Sequence, residues 1–351
     1  MRTQSIPARP GALPRYPIPW RPMARVTWLQ QRGSLITAAV LFAGCALLII
    51  VSGLGAYAKL SPCLASGRGS CDLNSLHAQT TELTFVTIAL LVIPVLAGMF
   101  IGAPLLAREI ESGSFRFAWT QGTGRTRWVV TKMVLLGGAG AAAAGVLGLL
   151  ADWYAGPFEA TGLASHWLAG QFNVTVLTLP AWTLCSLAAG AFVGLFIGRV
   201  VAAMAATAAF AGGLLALDLM RLHDRLLGIA PGVTQSSPSG TGLGALNTFA
   251  WPGGIPGPLG SWLVNGWYTG PDGQRLSSAA VSSLVTKLDT SKSPVALGDP
   301  AKWLTLRHDA YWISYQAADR FWYFQAAEAA ILLAVTMMFA IGIVKLVNRR
   351  A

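Results

Sequence analysis

Between positions 107 and 133 the chain reads AREIESGSFRFAWTQGTGRTRWVVTKM. Two carboxylates, Glu109 and Glu111, stand before Gly113 and Ser114. Three aromatics follow at Phe115, Phe117 and Trp119, and then the cations Arg125, Arg127 and Lys132. These types suit recognition and not bond making. Opposite charges at the two ends of a loop can fix its ends, and aromatics in its middle either lie on a membrane interface or dock into a partner. The two readings weigh equally on spacing alone. Gly113-Ser114 can break one helix and start a short new one, with Ser114 as N-cap. Gln121-Gly-Thr-Gly124 would end it.

Other reactive residue types are sparse. The glycine cluster GTGRTRW at 122–128 lacks the Lys-Ser/Thr pair of a phosphate loop, and no GxxxxGK[ST] occurs elsewhere. His77, His166, His223 and His308 match no zinc spacing, no HExxH is present, and each reads as an exposed polar residue. No metal site is expected, and no Ser-His-Asp or paired-carboxylate set stands out. Glu328 lies about 10 Å along a helix from Phe321. An acid inside a span is a candidate functional residue, but this shallow position favours a carboxylate paired with Arg320 or reaching water. Asp218 with Arg221 reads as an interfacial charge pair, and Asp152 similarly ends a span. Cys63 and Cys71 frame CLASGRGSC. Their spacing favours a disulfide in an oxidising exterior over two free thiols. Cys45 and Cys185 read as small packing residues.

The elements that carry these residues follow from composition. The chain has 351 residues, of which 54% are hydrophobic and 11% charged, with a net charge of +11. Soluble domains average about 25% charged residues, so an ordinary soluble enzyme is excluded. The basic residues sit among apolar runs, which argues against a nucleic-acid partner. Six segments are long and apolar enough to span, at roughly 35–56, 83–107, 133–151, 174–198, 200–217 and 321–344. The third is rich in Gly and Ala and should pack against other helices. Pro94 and Pro104 should bend the second. The fourth and fifth, parted by little more than Arg199, read as a tight hairpin.

Placing both termini inside gives the inner segments fifteen Lys/Arg and two acids, and the outer ones ten and twelve. The net charge is then +13 inside and −2 outside, as the positive-inside rule requires. The expected fold is an all-α polytopic membrane protein: six transmembrane helices, N- and C-termini cytoplasmic, and a large outer loop between helices five and six. Its parts are a basic, proline-rich tail with an interfacial helix at 1–34 (residues 23–32), helices one to five at 35–217 with the cytoplasmic loop 108–132, the outer loop 218–320, and helix six with a basic tail at 321–351. In the outer loop, 228–273 reads as compact and irregular. Residues 276–288 read as an amphipathic helix, and 301–306 with 309–317 as another.

The pattern Glu109-x-Glu111-x-Gly113-Ser114, followed by Arg125-x-Arg-Trp-x-x-x-Lys132, resembles the loop after the second span of ABC-2-type exporter permeases. More narrowly, 102–128 looks like a group of actinobacterial ABC transporter permeases. Trp28-Leu-Gln-Gln-Arg32 and Tyr315-Gln-Ala-Ala-Asp-Arg320-Phe-Trp-Tyr-Phe-Gln325 with Glu328 resemble that group's entries to its first and last spans. Ser114 stands where Thr is usual, and Ala317 where Pro is. The resemblance implies an exporter subunit of the bacterial plasma membrane with no cofactor of its own. ATP and Mg would be bound by a separate ABC ATP-binding subunit. A second permease copy, identical or different, would complete the unit. Residues 112–124 would be the coupling helix, docked through Phe115, Phe117 and Trp119 and positioned by Glu109, Glu111, Arg125 and Lys132. A secondary transporter and a non-transport membrane protein are the alternatives. No cargo motif is visible.

Overall fold

The computed structural model describes residues 20–66, 73–113, 125–161, 164–236, 261–289 and 310–349. Among them, six helices are long and apolar enough to cross a membrane: Ile36–Ser61, Ala78–Glu111, Thr126–Ala160, Thr178–Ile197, Val200–Ile229 and Ala318–Arg349. We call them spans one to six. All six coincide with the runs read from the sequence, and each extends further into the polar flanks or matches their limits closely.

Span one belongs to a single helix, Trp20–Ser66, of 47 residues. The separate interfacial helix expected at 23–32 is therefore continuous with the span. Gly33 is the only helix breaker between Pro22 and the apolar run, and a lone glycine costs about 1 kcal/mol, too little to end a helix.

Span two does bend. Pro94 lies inside its first part, Leu73–Ala97. A π-helical turn, Gly98–Gly102, follows and passes into Ala103–Glu111, with the Ala103 N–H bonded to the Gly98 carbonyl. Proline removes one backbone donor, and a wider turn re-satisfies the freed carbonyls.

Span four is the centre of the bundle. Its apolar window is 67% buried, against 11% for span one. Lipid tails are as apolar as leucine, so close packing and interhelical hydrogen bonds must hold such a bundle together. Glycines supply the close packing. A Cβ on Gly98 would lie 2.6 Å from the Ser186 carbonyl oxygen, and one on Gly102 2.6 Å from that of Leu187. From the other side, Gly190 abuts the Gly98 carbonyl and Gly194 that of Ala103. Spans two and four thus touch backbone to backbone. Span three packs likewise: a Cβ on Gly148 would meet the Thr175 carbonyl at 2.6 Å. The apolar residues left exposed, such as Val40, Leu47 and Val201, form a surface suited to lipid.

Spans four and five form the expected hairpin. Gly198 takes φ +69° and its N–H bonds to the Gly194 carbonyl, closing span four one residue before Arg199 caps span five. A left-handed residue at that position favours glycine.

The loop between spans five and six departs from an all-α fold. It contains a three-stranded antiparallel sheet in the order β1-β3-β2, formed by β1 Val233–Ser236, β2 Trp262–Thr269 and β3 Ala310–Gln316. Of the stretch 309–317, expected as helix, residues 310–316 form the central strand. Their β-branched and aromatic residues suit a pleated surface, and pairing satisfies β3 on both edges. The segment 276–288 is helical, as Ser278–Asp289. Gln316 ties the sheet to the end of span five by donating to the carbonyls of Leu227 (3.1 Å) and Ala230 (2.7 Å). The expectation for 301–306 lies outside the described residues.

Candidate functional site

Helix alternation brings the ends of spans two and three, the 198–199 hairpin and the end of span six to one face. A cluster of Leu106, Val129, Leu195 and Ile343, with neighbours, packs spans two, three, four and six together there. Three polar contacts sit on it. Lys132 of span three is ion-paired with Glu109 of span two, their side chains 4% and 16% exposed. The Lys132 ammonium also lies 4.2 Å from the centre of the Trp128 ring, within cation–π range. Two residues on, Glu111 Oε2 accepts the Val200 N–H at 3.0 Å. That carboxylate meets the positive end of span five's helix dipole. Thr126 donates to Asn348 Oδ1 at 2.8 Å, joining spans three and six.

Gly113 ends span two with φ +67°, and the Ser112 N–H closes the last turn on the Arg108 carbonyl at 3.0 Å. The chain re-enters at Arg125, where the helix of span three begins. Of the residues singled out in this loop, Glu109 and Lys132 are therefore brought together, Glu111 is tied to span five, and Gly113 is the break. Phe115, Phe117 and Trp119, and the side chain of Arg125, lie outside the described residues. So do Cys71, the side chain of Cys63 and hence the expected disulfide. Cys45 and Cys185 are free, and Cys185 is buried in the packing between spans four and six.

At the opposite end a buried polar network links spans four, five and six through the turn at 164–177. Asn173 Nδ2 donates to Asp218 Oδ2 at 2.7 Å. The Trp182 indole N–H lies 2.9 Å from Asn173 Oδ1 and 3.3 Å from Glu328 Oε1. Gln325 Nε2 donates to the Phe172 carbonyl at 2.8 Å, while its Oε1 accepts from Thr175 at 2.6 Å. Asn173, Thr178 and Gln325 are wholly buried. Aromatic rings of Trp167, Phe172 and Phe321 cover the end of the network, with Trp262 of β2 packed on them.

Several single-residue expectations change here. Glu328 is 4% exposed and is not paired with Arg320. Arg320 instead donates to the Pro231 carbonyl (2.8 Å) and Gln316 Oε1 (3.1 Å). Helix geometry explains this: the short 3-10 turn Ala318–Arg320 turns the guanidinium toward the sheet, eight residues before Glu328. Asp218 is buried on Asn173, while Arg221 stays exposed. Asp152 accepts the Val176 N–H at 3.2 Å. His223 is not exposed: its Nε2 bonds the Trp167 carbonyl at 2.7 Å. His166 lies 3.1 Å from Glu159. Glu82, an acid within span two that the sequence reading passed over, accepts a hydrogen bond from Ser52 of span one at 2.5 Å. Polar residues inside apolar runs were the available signal for Glu82, Asn173 and Gln325. Among the described residues no three His, Cys, Asp or Glu side chains converge on a metal-sized site.

The family model described as ABC-2 membrane transporter related matches residues 24–221, more than half of the chain, taking in spans one to four and most of span five. No curated protein and no solved structure matches significantly. The chain thus belongs to the ABC-2 membrane transporter related family and is a multi-pass ABC transporter permease, a membrane component of a kind that generally works with an ATP-binding subunit.

Proposed function

We propose that this chain is the permease subunit of an ATP-driven exporter in a bacterial plasma membrane. It would have its termini and the 108–132 loop in the cytoplasm and the sheet-bearing loop outside. The inner excess of Lys and Arg supports that orientation. ATP and Mg would be held by the partner subunit, and a second permease copy, identical or different, would complete the assembly.

The observation that carries this reading is the Glu109–Lys132 pair with the Glu111 contact to Val200. Together they tie both roots of the 112–124 segment to the ends of spans two, three and five. A push on that segment from a closing ATPase dimer is then delivered to span two. Span two has the means to respond, because Pro94, the π turn Gly98–Gly102 and Pro104 interrupt its regular α-helical hydrogen bonding midway, where helices yield most readily. Its glycine contact with span four would let the inner part slide or tilt as a unit. Phe115, Phe117 and Trp119 would form the docking face.

The test is reconstitution with a co-expressed ATP-binding subunit. ATP turnover should depend on the permease, and breaking the Glu109–Lys132 pair should change that dependence. Absence of any stable ATPase partner would sink the proposal.

A secondary transporter is the second reading, favoured by one observation: Glu328 and Asp218 are both buried within spans. Both belong to a network that closes the ends of the spans, which fits a structural role as well.

A further inference from the structure

Glu328 of span six is a buried acid with almost no donors. The residue is 4% exposed, and its Oε2 is enclosed without a hydrogen-bond partner. Oε1 has a share in one N–H, that of the Trp182 indole, at 3.3 Å. The same N–H lies closer to Asn173 Oδ1, at 2.9 Å.

The neighbouring side chains do not make up the shortfall. Asn173 spends its amide hydrogens on Asp218 Oδ2 (2.7 Å) and the Ala169 carbonyl (2.9 Å). Gln325, one turn earlier on span six, directs its amide to the Phe172 carbonyl at 2.8 Å. The Thr175 hydroxyl donates to Gln325 Oε1 and that of Thr178 to the Phe172 carbonyl.

The cations are turned elsewhere. Arg320 bonds Pro231 and Gln316. Arg221 and Arg225 of span five are exposed, as is Asp224. His223 bonds the Trp167 carbonyl, and His166 of the 164–177 turn faces Glu159. Cys185 of span four is a free thiol in the same packing layer as Trp182. Among the described residues the charged neighbour of Glu328 is Asp218, which carries the same sign. An ionised carboxylate among apolar helices needs a cation or a full set of donors, and with neither it takes up a proton and becomes neutral. Asp218 is the better provided of the two, with a full amide donor at 2.7 Å.

We infer that Glu328 is a proton-binding site. It holds a proton taken from water, as a neutral carboxylic acid, at a neutral pH that ionises a glutamate in solution. The O–H bond forms at Oε2, and Oε1 stays the carbonyl oxygen that accepts the indole N–H. The proton is thereby a structural ligand of the junction that joins spans four, five and six to the 164–177 turn. The site lies at the opposite end of the bundle from the Glu109–Lys132 pair, and the proton is held whether or not an ATPase drives the chain.

The experiment is infrared absorption of the full chain in detergent at neutral pH, taken as the difference between the unmodified chain and Glu328→Gln. The difference should show the carbonyl band of one protonated carboxylic acid per chain, lost in the variant and retained in Asp218→Asn. Trp182→Phe should keep the band and move it to higher wavenumber, because a carbonyl freed from a hydrogen bond stiffens. That shift provides the reading if Glu328→Gln does not purify. The inference is overturned if Glu328→Gln removes only the bands of an ionised carboxylate. It is equally overturned if the acid band disappears in Asp218→Asn and survives in Glu328→Gln, or if Trp182→Phe leaves every acid band where it was.

Discussion

Lys132 of span three reaches across to Glu109 of span two and forms an ion pair that is almost wholly buried on the lysine side. Twenty-three positions separate them, Glu109 in the helix Ala103–Glu111 that closes span two and Lys132 in the helix Arg125–Thr161 that carries span three. The pair is therefore a clasp at the base of the loop that most resembles a coupling element.

Lys132→Met should destabilise the chain by about 2–4 kcal/mol. It leaves the Glu109 carboxylate without its cation, and the partial exposure of Glu109 moderates the cost of a fully buried charge. Glu109→Gln together with Lys132→Met should recover about half or more of that loss. A double-mutant cycle by reversible unfolding in mixed detergent checks this, and strict additivity of the two changes would contradict the clasp.

The backbone contact between spans two and four gives a matched pair of glycine tests. A Cβ at position 190 would run into the Gly98 carbonyl and come within 2.9 Å of the Ala103 N. Gly190→Ala should cost about 1–3 kcal/mol through forced separation of the helices. Gly138→Ala meets nothing within 4 Å and should be neutral, or gain up to about 1 kcal/mol from helix propensity. Equal effects at the two positions would mean that the spans do not touch as described.

Trp182 serves two acceptors on different elements, Asn173 and Glu328. Trp182→Phe removes the donor from both and should cost about 1–3 kcal/mol, counting the lost ring volume. Glu328→Gln keeps an acceptor for the indole and removes a buried acid whose Oε2 has no partner. Its stability should stay within about 1 kcal/mol of the unmodified chain, or rise. A large loss in Glu328→Gln would show that the carboxylate holds a partner beyond Trp182.

The six spans were legible in the sequence because each is a long apolar run, and in a membrane that pattern dominates every other signal. The irregularity of span two lies where Pro94 and Pro104 pointed, and the hairpin was legible from the short break at Arg199. The small sheet was not. β1 and β3 pair across more than seventy residues of chain, and local composition around Gly and Pro carries no record of such a partner. The Asp218 and His223 environments were also hidden. Each looks like a residue at the end of an apolar run, and only the fold of 164–177 over them, with Asn173 and Trp167 as partners, buries them. At the candidate site, the spacing Glu109–Gly113–Lys132 pointed to a loop fixed at both ends. Which carboxylate meets which cation was set by the packing of spans two, three and five, and this is why Glu111 answers a backbone N–H instead of a side chain.

The central claim is that the 112–124 segment docks an ATP-binding subunit. The most direct measurement is the amount of that subunit retained when the tagged chain is purified from co-expressing cells, compared with a Phe117→Ala/Trp119→Ala variant whose unfolding midpoint matches the original. Loss of two buried aromatic anchors costs several kcal/mol at an interface, so the account predicts that retention falls at least about tenfold. Undiminished retention by a normally folded variant would contradict it.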